Sequence, residues 1–163
     1  QYAVSKKSGK NPEILKTIQT NIVEGANAIV KNAAADVYGR PLVRYYWGCN
    51  GTIARQVLNL QIANRIAPNP AYVQTSLDAI AHIFGRNFYN RSYVTGLGIN
   101  PAMNPHDRRS GSDQETEPWP GYLVGGGHSA TGWYDKQEDY RTNEIAINWQ
   151  AALVYALAGF VGK

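Results

Sequence analysis

Apolar residues recur at helical spacing in four segments of the chain, and polar connections rich in glycine and proline separate these segments. The predicted helices cover residues 11–35, 50–66, about 70–84 and 143–160. An asparagine followed by a proline precedes the first and the third helix, which is typical of a helix start. The pattern therefore predicts an all-α fold with about four helices.

The apolar residues also predict which face of each helix is buried. In the third helix the expected buried stripe consists of Val73, Leu77, Ile80, Ala81 and Phe84. In the last helix apolar residues cover most of the circumference, which is typical of a central helix. Three helices with one-sided stripes scarcely supply enough neighbours for it. We therefore expect either irregular packing or the absence of part of the domain.

Residues 87–141 have a different character. Glycine, proline, asparagine and serine are dense there, and no helical period persists. Ordered loops of this length are uncommon in compact domains and are usually functional. This segment is expected to form a binding surface that rests on the helices.

Composition narrows the class of protein. The chain has 163 residues, of which 44% are hydrophobic and 17% charged, as in a single globular domain with a real core. Its net charge is +4, but lysine and arginine are scattered, whereas nucleic-acid-binding proteins usually cluster them on one face. A nucleic-acid-binding module is therefore supported by net charge alone, and we expect no nucleic-acid partner.

Cysteine and hydropathy add two limits. The single Cys49 excludes an internal disulfide and is expected to be a small buried residue. No apolar run approaches transmembrane length, so no membrane partner is expected. The first ten residues lack the apolar core of a signal peptide, so we expect a mature chain, a cytosolic protein or a fragment.

His106 and Arg108 form the first candidate site. They lie two residues apart in a loop rich in glycine and proline. Alternate residues of an extended segment point the same way, so both side chains could face one substrate. The alternative is a solvated loop in which Arg108 pairs with Asp107 or Asp113.

Asp135 and Glu144 form the second candidate site. Asn143 is expected to cap the last helix, which would place Glu144 in its first turn. There the helix dipole favours the ionised carboxylate, and the alternative interpretation is a glutamate that only stabilises the helix start. A general acid must instead hold its proton near neutral pH. Burial and a neighbouring carboxylate, such as Asp135, would have to outweigh the dipole.

Metal and phosphate sites are less evident. His82, His106 and His128 have no metal-ligand spacing. The stretch GSDQE, which contains Asp113, offers oxygen ligands for a hard cation such as calcium. The glycine-rich LVGGGHS lacks the lysine of a phosphate-binding loop.

Two long stretches together resemble glycoside hydrolase family 9, the cellulase family built as an (α/α)6 barrel. SYVTGLGINPAMNPHDR is similar to the family pattern around its active-site histidine and arginine, and WYDKQEDYRTNEIAINWQA is similar to the pattern around its catalytic acid. YYWGCN and LVGGG also look like family landmarks. The resemblance covers about residues 47–160, with Gln150 where the family usually has asparagine.

The resemblance implies specific roles. It makes Glu144 the general acid and Asp135 a carboxylate of the same active site. It makes His106 and Arg108 sugar-contacting residues, with Tyr140 in the same motif and Asp113 near where some members hold calcium. The chemistry requires no cofactor, and a structural calcium ion is the expected metal.

The family inverts the anomeric centre, and its catalytic base is an aspartate from a DAGD-like motif that this sequence lacks. The barrel also has twelve helices rather than four. Residues 1–163 thus resemble the C-terminal third of a catalytic domain, without the N-terminal part that carries the base. The chain alone is expected to be inactive, with the remainder of the domain as its partner.

The expected function is hydrolysis of β-1,4-glucosidic bonds in cellulose or cello-oligosaccharides by an extracellular, secreted enzyme. The alternative is a non-catalytic helical module that binds carbohydrate. The missing base favours this alternative, whereas Glu144 in a matched motif argues against it.

Overall fold

The computed structural model describes residues 1–161 and contains five helices in that range. They are α1 (Pro12–Ala34), α2 (Cys49–Ile66), α3 (Pro70–Ile83), the single turn α4 (Tyr140–Asn143) and α5 (Ile147–Ala158). Isolated β-bridges are the only strand-like pairings among these residues. The prediction of an all-α fold with about four full helices is confirmed.

Asparagine side chains start the first and the third helix, as predicted. Asn11 Oδ1 accepts hydrogen bonds from the backbone N–H groups of Glu13 and Ile14, at 3.0 and 3.1 Å. Asn69 Oδ1 accepts from Ala71 N at 2.9 Å. Each cap satisfies donors that the helix itself leaves without a partner.

Helix α2 occupies the centre of the helical layer and packs against α1, α3 and α5. Its buried residues contact two apolar clusters, the smaller one shared with α1 and the larger one with α5 and the loops. The expectation that the last helix is central is wrong within this chain. Helix α5 buries one face against α2, whereas Ile147 and Val154 on other faces are 88% and 66% exposed.

The predicted buried face of α3 is partly wrong, although Ile80 and Phe84 of the predicted stripe do pack against the larger apolar cluster. Val73 and Leu77 are exposed, and the helix is buried instead at Tyr72, Ser76 and Ala79. Ser76 donates its hydroxyl to Tyr72 O at 2.7 Å, which satisfies the polar group inside the contact. The buried face of α3 therefore includes small and polar residues as well as apolar ones, and a stripe of large apolar residues gave its orientation only in part.

The last helix begins later than predicted. Asn143 ends α4 instead of capping a helix, and Glu144 has an extended conformation with φ −61° and ψ 148°. Helix α5 starts at Ile147, and its N-terminal neighbour Ala146 provides no side-chain cap. Glu144 therefore lies outside the first turn of α5. Since the dipole effect fades beyond the terminal turn, the helix-dipole argument made from the sequence does not apply to Glu144.

The loops between α3 and α4 lie on the ends of α2 and α5. One isolated bridge joins two of these loop segments, at Val94 and Leu123, and two more join them to the segment between α4 and α5, at His106 and Glu144 and at Val124 and Ile145. Cys49 is buried in this region as a free thiol, as expected. No described helix combines the length and the apolar character that crossing a bilayer demands.

Candidate active site

Glu144 lies in a short extended segment that is held from both sides. On one side His106 N donates to Asn143 O at 2.8 Å, within a parallel bridge between His106 and Glu144. On the other side Gly125 N donates to Glu144 O at 2.9 Å. The two loops singled out from the sequence therefore meet through backbone hydrogen bonds at the candidate acid.

The Glu144 carboxylate contacts a tryptophan. Trp47 Nε1 donates to Glu144 Oε2 at 2.7 Å. Among the residues that the structure describes, this is the one hydrogen bond that its carboxylate makes. Trp47 belongs to the YYWGCN stretch and lies two residues before α2 begins, and the sequence gave it no individual role.

Glu144, His106 and Arg108 open onto one cavity of about 710 Å³. The full lining consists of His106, Asp107, Arg108, Arg109, Tyr122, Glu144, Ile145, Ala146, Ile147 and Gln150. It thus combines two acids, an imidazole, cationic groups and an aromatic ring. Such a lining can donate hydrogen bonds to hydroxyl groups and can carry a proton to a bound substrate.

The imidazole of His106 is oriented by the main chain. Its Nδ1 lies 2.6 Å from Gln137 O, and because a carbonyl oxygen only accepts, Nδ1 carries a proton. Nε2 is then the ring nitrogen left for a ligand. The ring also lies 6.3 Å from the ring of Tyr140.

Arg108 makes no ion pair within residues 1–161. The alternative in which it pairs with Asp107 or Asp113 is therefore not what the structure has. Asp107 instead accepts from Arg109 Nε and from the Ser110 hydroxyl, both at 3.3 Å. The guanidinium of Arg108 is available to the cavity that it lines.

Asp135 does not line this cavity, and its carboxylate is held by four groups. Arg91 Nη2 donates at 2.6 Å, Met103 N at 3.0 Å, Asn104 N at 2.9 Å and Asn143 Nδ2 at 3.0 Å. Burial by itself raises the pKa of Asp135, but these four donors outweigh it and the pKa lies below its ordinary value. Asp135 thus connects the loop before His106 with the residue before Glu144.

Asn143 is completely buried and uses its whole amide. Trp133 Nε1 donates to its Oδ1 at 2.7 Å, and its Nδ2 donates to Asn104 O at 2.7 Å as well as to Asp135. The sequence suggested a helix cap at this position, which is the usual role of asparagine beside an apolar segment. No local pattern distinguishes that role from a buried connection to residues 39 positions away.

Gln150 also lines the cavity, and its side-chain amide binds the backbone of Leu123. Its Oε1 accepts from Leu123 N and its Nε2 donates to Leu123 O, both at 2.8 Å. This amide therefore pairs with both backbone groups of one residue, as a neighbouring strand would. The departure from the family pattern at Gln150 preserves the donor and acceptor groups of an amide.

Two further candidates lie away from the cavity lining. Tyr140 begins α4 with an exposed ring and borders a separate surface depression with Tyr134 and Arg141. Asp113 lies in the loop beyond Arg109, where its Oδ1 accepts from Glu115 N at 3.1 Å. Its Oδ2 is buried and has no hydrogen-bond partner.

Comparison with known proteins identifies the family of this chain. The model of glycosyl hydrolase family 9 matches residues 3–157. Endoglucanase D of Acetivibrio thermocellus is 60% identical over 162 residues, which are 98% of this chain and 26% of that protein. A xyloglucan-specific endo-β-1,4-glucanase of Bacteroides ovatus is 34% identical over 163 residues, covering 87% of this chain and 26% of that protein.

A solved structure shows the same fold. The crystal structure of a metagenome-derived glycoside hydrolase family 9 endoglucanase superposes with a TM-score of 0.91 at 32% identity, covering 98% of this chain and 31% of that one. The chain thus spans about a quarter of the curated relatives it matches, and its helices are part of an (α/α)6 barrel. Because the family model covers nearly the whole chain, the protein belongs to glycosyl hydrolase family 9.

Proposed function

We propose that this chain supplies the general acid, Glu144, and part of the sugar-binding cleft of an inverting glycoside hydrolase that cleaves β-1,4-glucosidic bonds in cellulose. The observation that carries this proposal is the placement of Glu144, His106 and Arg108 on one open cavity. The relatives named above are endoglucanases, which supports a β-1,4-glucan as the substrate.

The proton follows a simple route. The O–H bond of Glu144 breaks as its proton passes to the glycosidic oxygen, and the bond between that oxygen and the anomeric carbon breaks with it. Arg108 and Nε2 of His106 face the same cavity and can hydrogen-bond sugar hydroxyl groups. The leaving sugar departs as an alcohol, and Glu144 is left as a carboxylate.

An inverting reaction also needs a base. A second carboxylate, about 6.5–9.5 Å from the acid, activates the attacking water from the opposite face of the sugar ring. Asp107, the other acid on the cavity, is engaged by Arg109 and Ser110. We expect the base to come from the part of the catalytic domain that this chain does not cover, so the chain alone should be inactive.

The test is Glu144→Gln in a complete catalytic domain that contains this chain. Loss of general-acid catalysis should lower turnover of cellohexaose by about 10²- to 10⁴-fold, while the affinity for the oligosaccharide stays nearly unchanged. The wild type should release the α-anomer first, as proton NMR during early turnover would show. Near-normal turnover by the variant would contradict the acid role, and binding without hydrolysis by the wild type would favour a non-catalytic carbohydrate-binding module.

Calcium at Asp113 is a separate proposal. The buried Oδ2 without a hydrogen-bond partner fits one ligand of a hard cation. Within residues 1–161 no group of three or more acidic, histidine or cysteine side chains could hold a metal, so carbonyl or water oxygens would have to complete the shell. Calcium should then raise the melting temperature of the wild type but not of Asp113→Asn, and an equal effect on both proteins would exclude this site.

An extracellular location follows from the proposed substrate. Cellulose is an insoluble polymer, and an enzyme that degrades it must meet it outside the cell. Cellulase activity found only in the cell fraction of the source organism would contradict secretion.

A further inference from the structure

Trp47 contacts the proposed general acid directly, although the proton transfer from Glu144 assigns it no role. The indole N–H donates to Glu144 Oε2 across 97 residues of sequence. We propose that Trp47 is a positioning residue for the general acid, which directs the acidic proton to the other oxygen, Oε1, and stabilises the carboxylate formed when that proton leaves. The inference rests on the proposed function of Glu144.

Trp47 is half-exposed, and its indole packs on one side against a buried tryptophan. Gly48, which follows it, has φ +74° and precedes the first residue of α2, Cys49. The ring packs edge to face against Trp149, with centroids 5.0 Å apart and planes at 69°. Trp149 is itself buried against α2, so the indole rests on a fixed surface.

Two glycines make room for this aromatic pair. A Cβ atom at Gly48 would lie 2.4 Å from the Trp149 ring, and one at Gly51 would lie 2.3 Å from it. These distances are shorter than non-bonded carbon atoms tolerate. The glycines in YYWGCNG therefore allow Trp149 to approach α2 closely enough to support Trp47.

The chemistry of the indole makes the direction of the bond unambiguous. Its Nε1–H is a donor only, so it cannot take the proton from Glu144. A carbonyl oxygen accepts a hydrogen bond better than a hydroxyl oxygen does. Of the two protonated forms of Glu144, the bond therefore favours the one in which Oε2 is the carbonyl oxygen and Oε1 carries the proton.

The same bond gains strength during the reaction. When Glu144 gives its proton to the glycosidic oxygen, negative charge develops on the carboxylate, and a hydrogen bond to a charged acceptor is stronger than one to a neutral acceptor. An interaction that is stronger in the transition state than in the ground state raises kcat. Trp47 itself transfers no proton and remains neutral throughout.

The geometry of the acid is fixed at three points. The backbone carbonyl of Glu144 accepts from Gly125 N, and its carboxylate accepts from Trp47. The carbonyl of the preceding residue, Asn143, accepts from His106 N. Without Trp47 the carboxyl group would keep its backbone anchors but could rotate about its own terminal torsion. The loss should therefore fall on proton donation and not on the shape of the cleft.

The experiment compares Trp47→Phe with the wild type in a complete catalytic domain that contains this chain. The variant keeps an aromatic ring against Trp149 but removes the N–H donor. Turnover (kcat) of cellohexaose should fall roughly 10- to 100-fold, in line with the loss of one hydrogen bond to a charged group. Turnover of 2,4-dinitrophenyl β-cellobioside should change less than about threefold, because dinitrophenolate leaves without a proton.

A double-mutant cycle separates positioning from direct sugar contact. In a Glu144→Gln background, Trp47→Phe should cause little further loss on cellohexaose, because the amide can still accept the indole hydrogen bond but has no acidic proton for Trp47 to direct. Equal losses on the two substrates, or a fully additive cycle, would overturn the positioning role and indicate a structural or sugar-contacting tryptophan. If Glu144→Gln alone retained normal turnover of cellohexaose, the proposed acid role would fail instead, whatever Trp47→Phe does.

Discussion

Asp135 shows how much the site depends on one carboxylate that lies outside the cavity. Its side chain is 9% exposed and binds Arg91, two backbone N–H groups of the loop before His106, and the amide of Asn143. With its oxygens engaged in this way, Asp135 is suited to positioning the loops on either side of Glu144. Its expected place in the same active site remains a prediction.

Asp135→Asn tests this positioning. The variant replaces one of the two acceptor oxygens by an NH2 group, which would then face the donors that hold the carboxylate. It also leaves Arg91 without its anionic partner. It should lower the free energy of unfolding at pH 7 by about 3 kcal/mol, the order of loss when one side of a largely buried ion pair is removed. Chemical denaturation of the chain would measure it. Asp78→Asn is the matched control, since its pair with Arg86 is far more exposed and should contribute less than about 1 kcal/mol.

The same variant has a signature in pH. Because the pKa of Asp135 is lowered in the folded chain, the unfolded chain takes up this proton first as the pH falls. The contribution of the carboxylate is therefore complete above its ordinary pKa of about 4 and is lost as the pH falls through the lower folded value. The difference between the wild type and Asp135→Asn should shrink below about pH 4, and a difference that stays constant down to pH 2 would show that the carboxylate is not responsible.

Whether the role of a single residue could be predicted from the sequence depends on how far along the chain its partners lie. The sequence placed His106, Arg108 and Glu144 together because each lies in a recognisable stretch, and the structure puts all three on one cavity. It assigned no individual role to Trp47, whose bond to Glu144 joins positions 97 residues apart. Hydrogen bonds of that kind leave no period or spacing in the sequence from which they could be inferred.

At the scale of elements, helices were predicted well where local interactions decide them. The bounds of α1 and α2 agree with the prediction to within a residue at each end, because caps, prolines and a helical period act locally. The start of α5 was wrong by four residues. Glu144 and Ile145 follow a helical pattern in the sequence, yet both pair with loop segments as isolated bridges. Tertiary hydrogen bonds here outweigh a weak local preference for helix.

The loops account for the rest of the difference between expectation and structure. Residues 84–139 contain no named helix, as the composition indicated, but composition gives no arrangement. Their order comes from long-range bonds such as those of Gln150 to Leu123 and of Thr95 to Trp119 O, the latter at 2.6 Å. A sequence can show that such a segment is not helical without showing which backbone groups meet.

At the scale of the whole molecule, the apolar residues of α5 leave one question open to experiment. Ile147 and Val154 remain exposed although their helix is apolar nearly all round, and the chain corresponds to about a quarter of its relatives' length. Contiguous exposed apolar side chains are typical of a surface that another segment covers. We expect the remainder of the catalytic domain to cover this face and to bring the base to Glu144.

Complementation tests that expectation. The chain should have no measurable activity on cello-oligosaccharides. Mixing it with the part of the endoglucanase D catalytic domain that this chain does not match should restore hydrolysis. Val154→Asp should weaken the restoration at least tenfold, because it places a charge in an apolar contact, while the circular dichroism of the chain stays unchanged. Thr20→Asp, which adds the same charge at an exposed polar position of α1, should restore activity as the wild type does. Hydrolysis by the chain alone would show instead that it contains its own base and needs no partner segment.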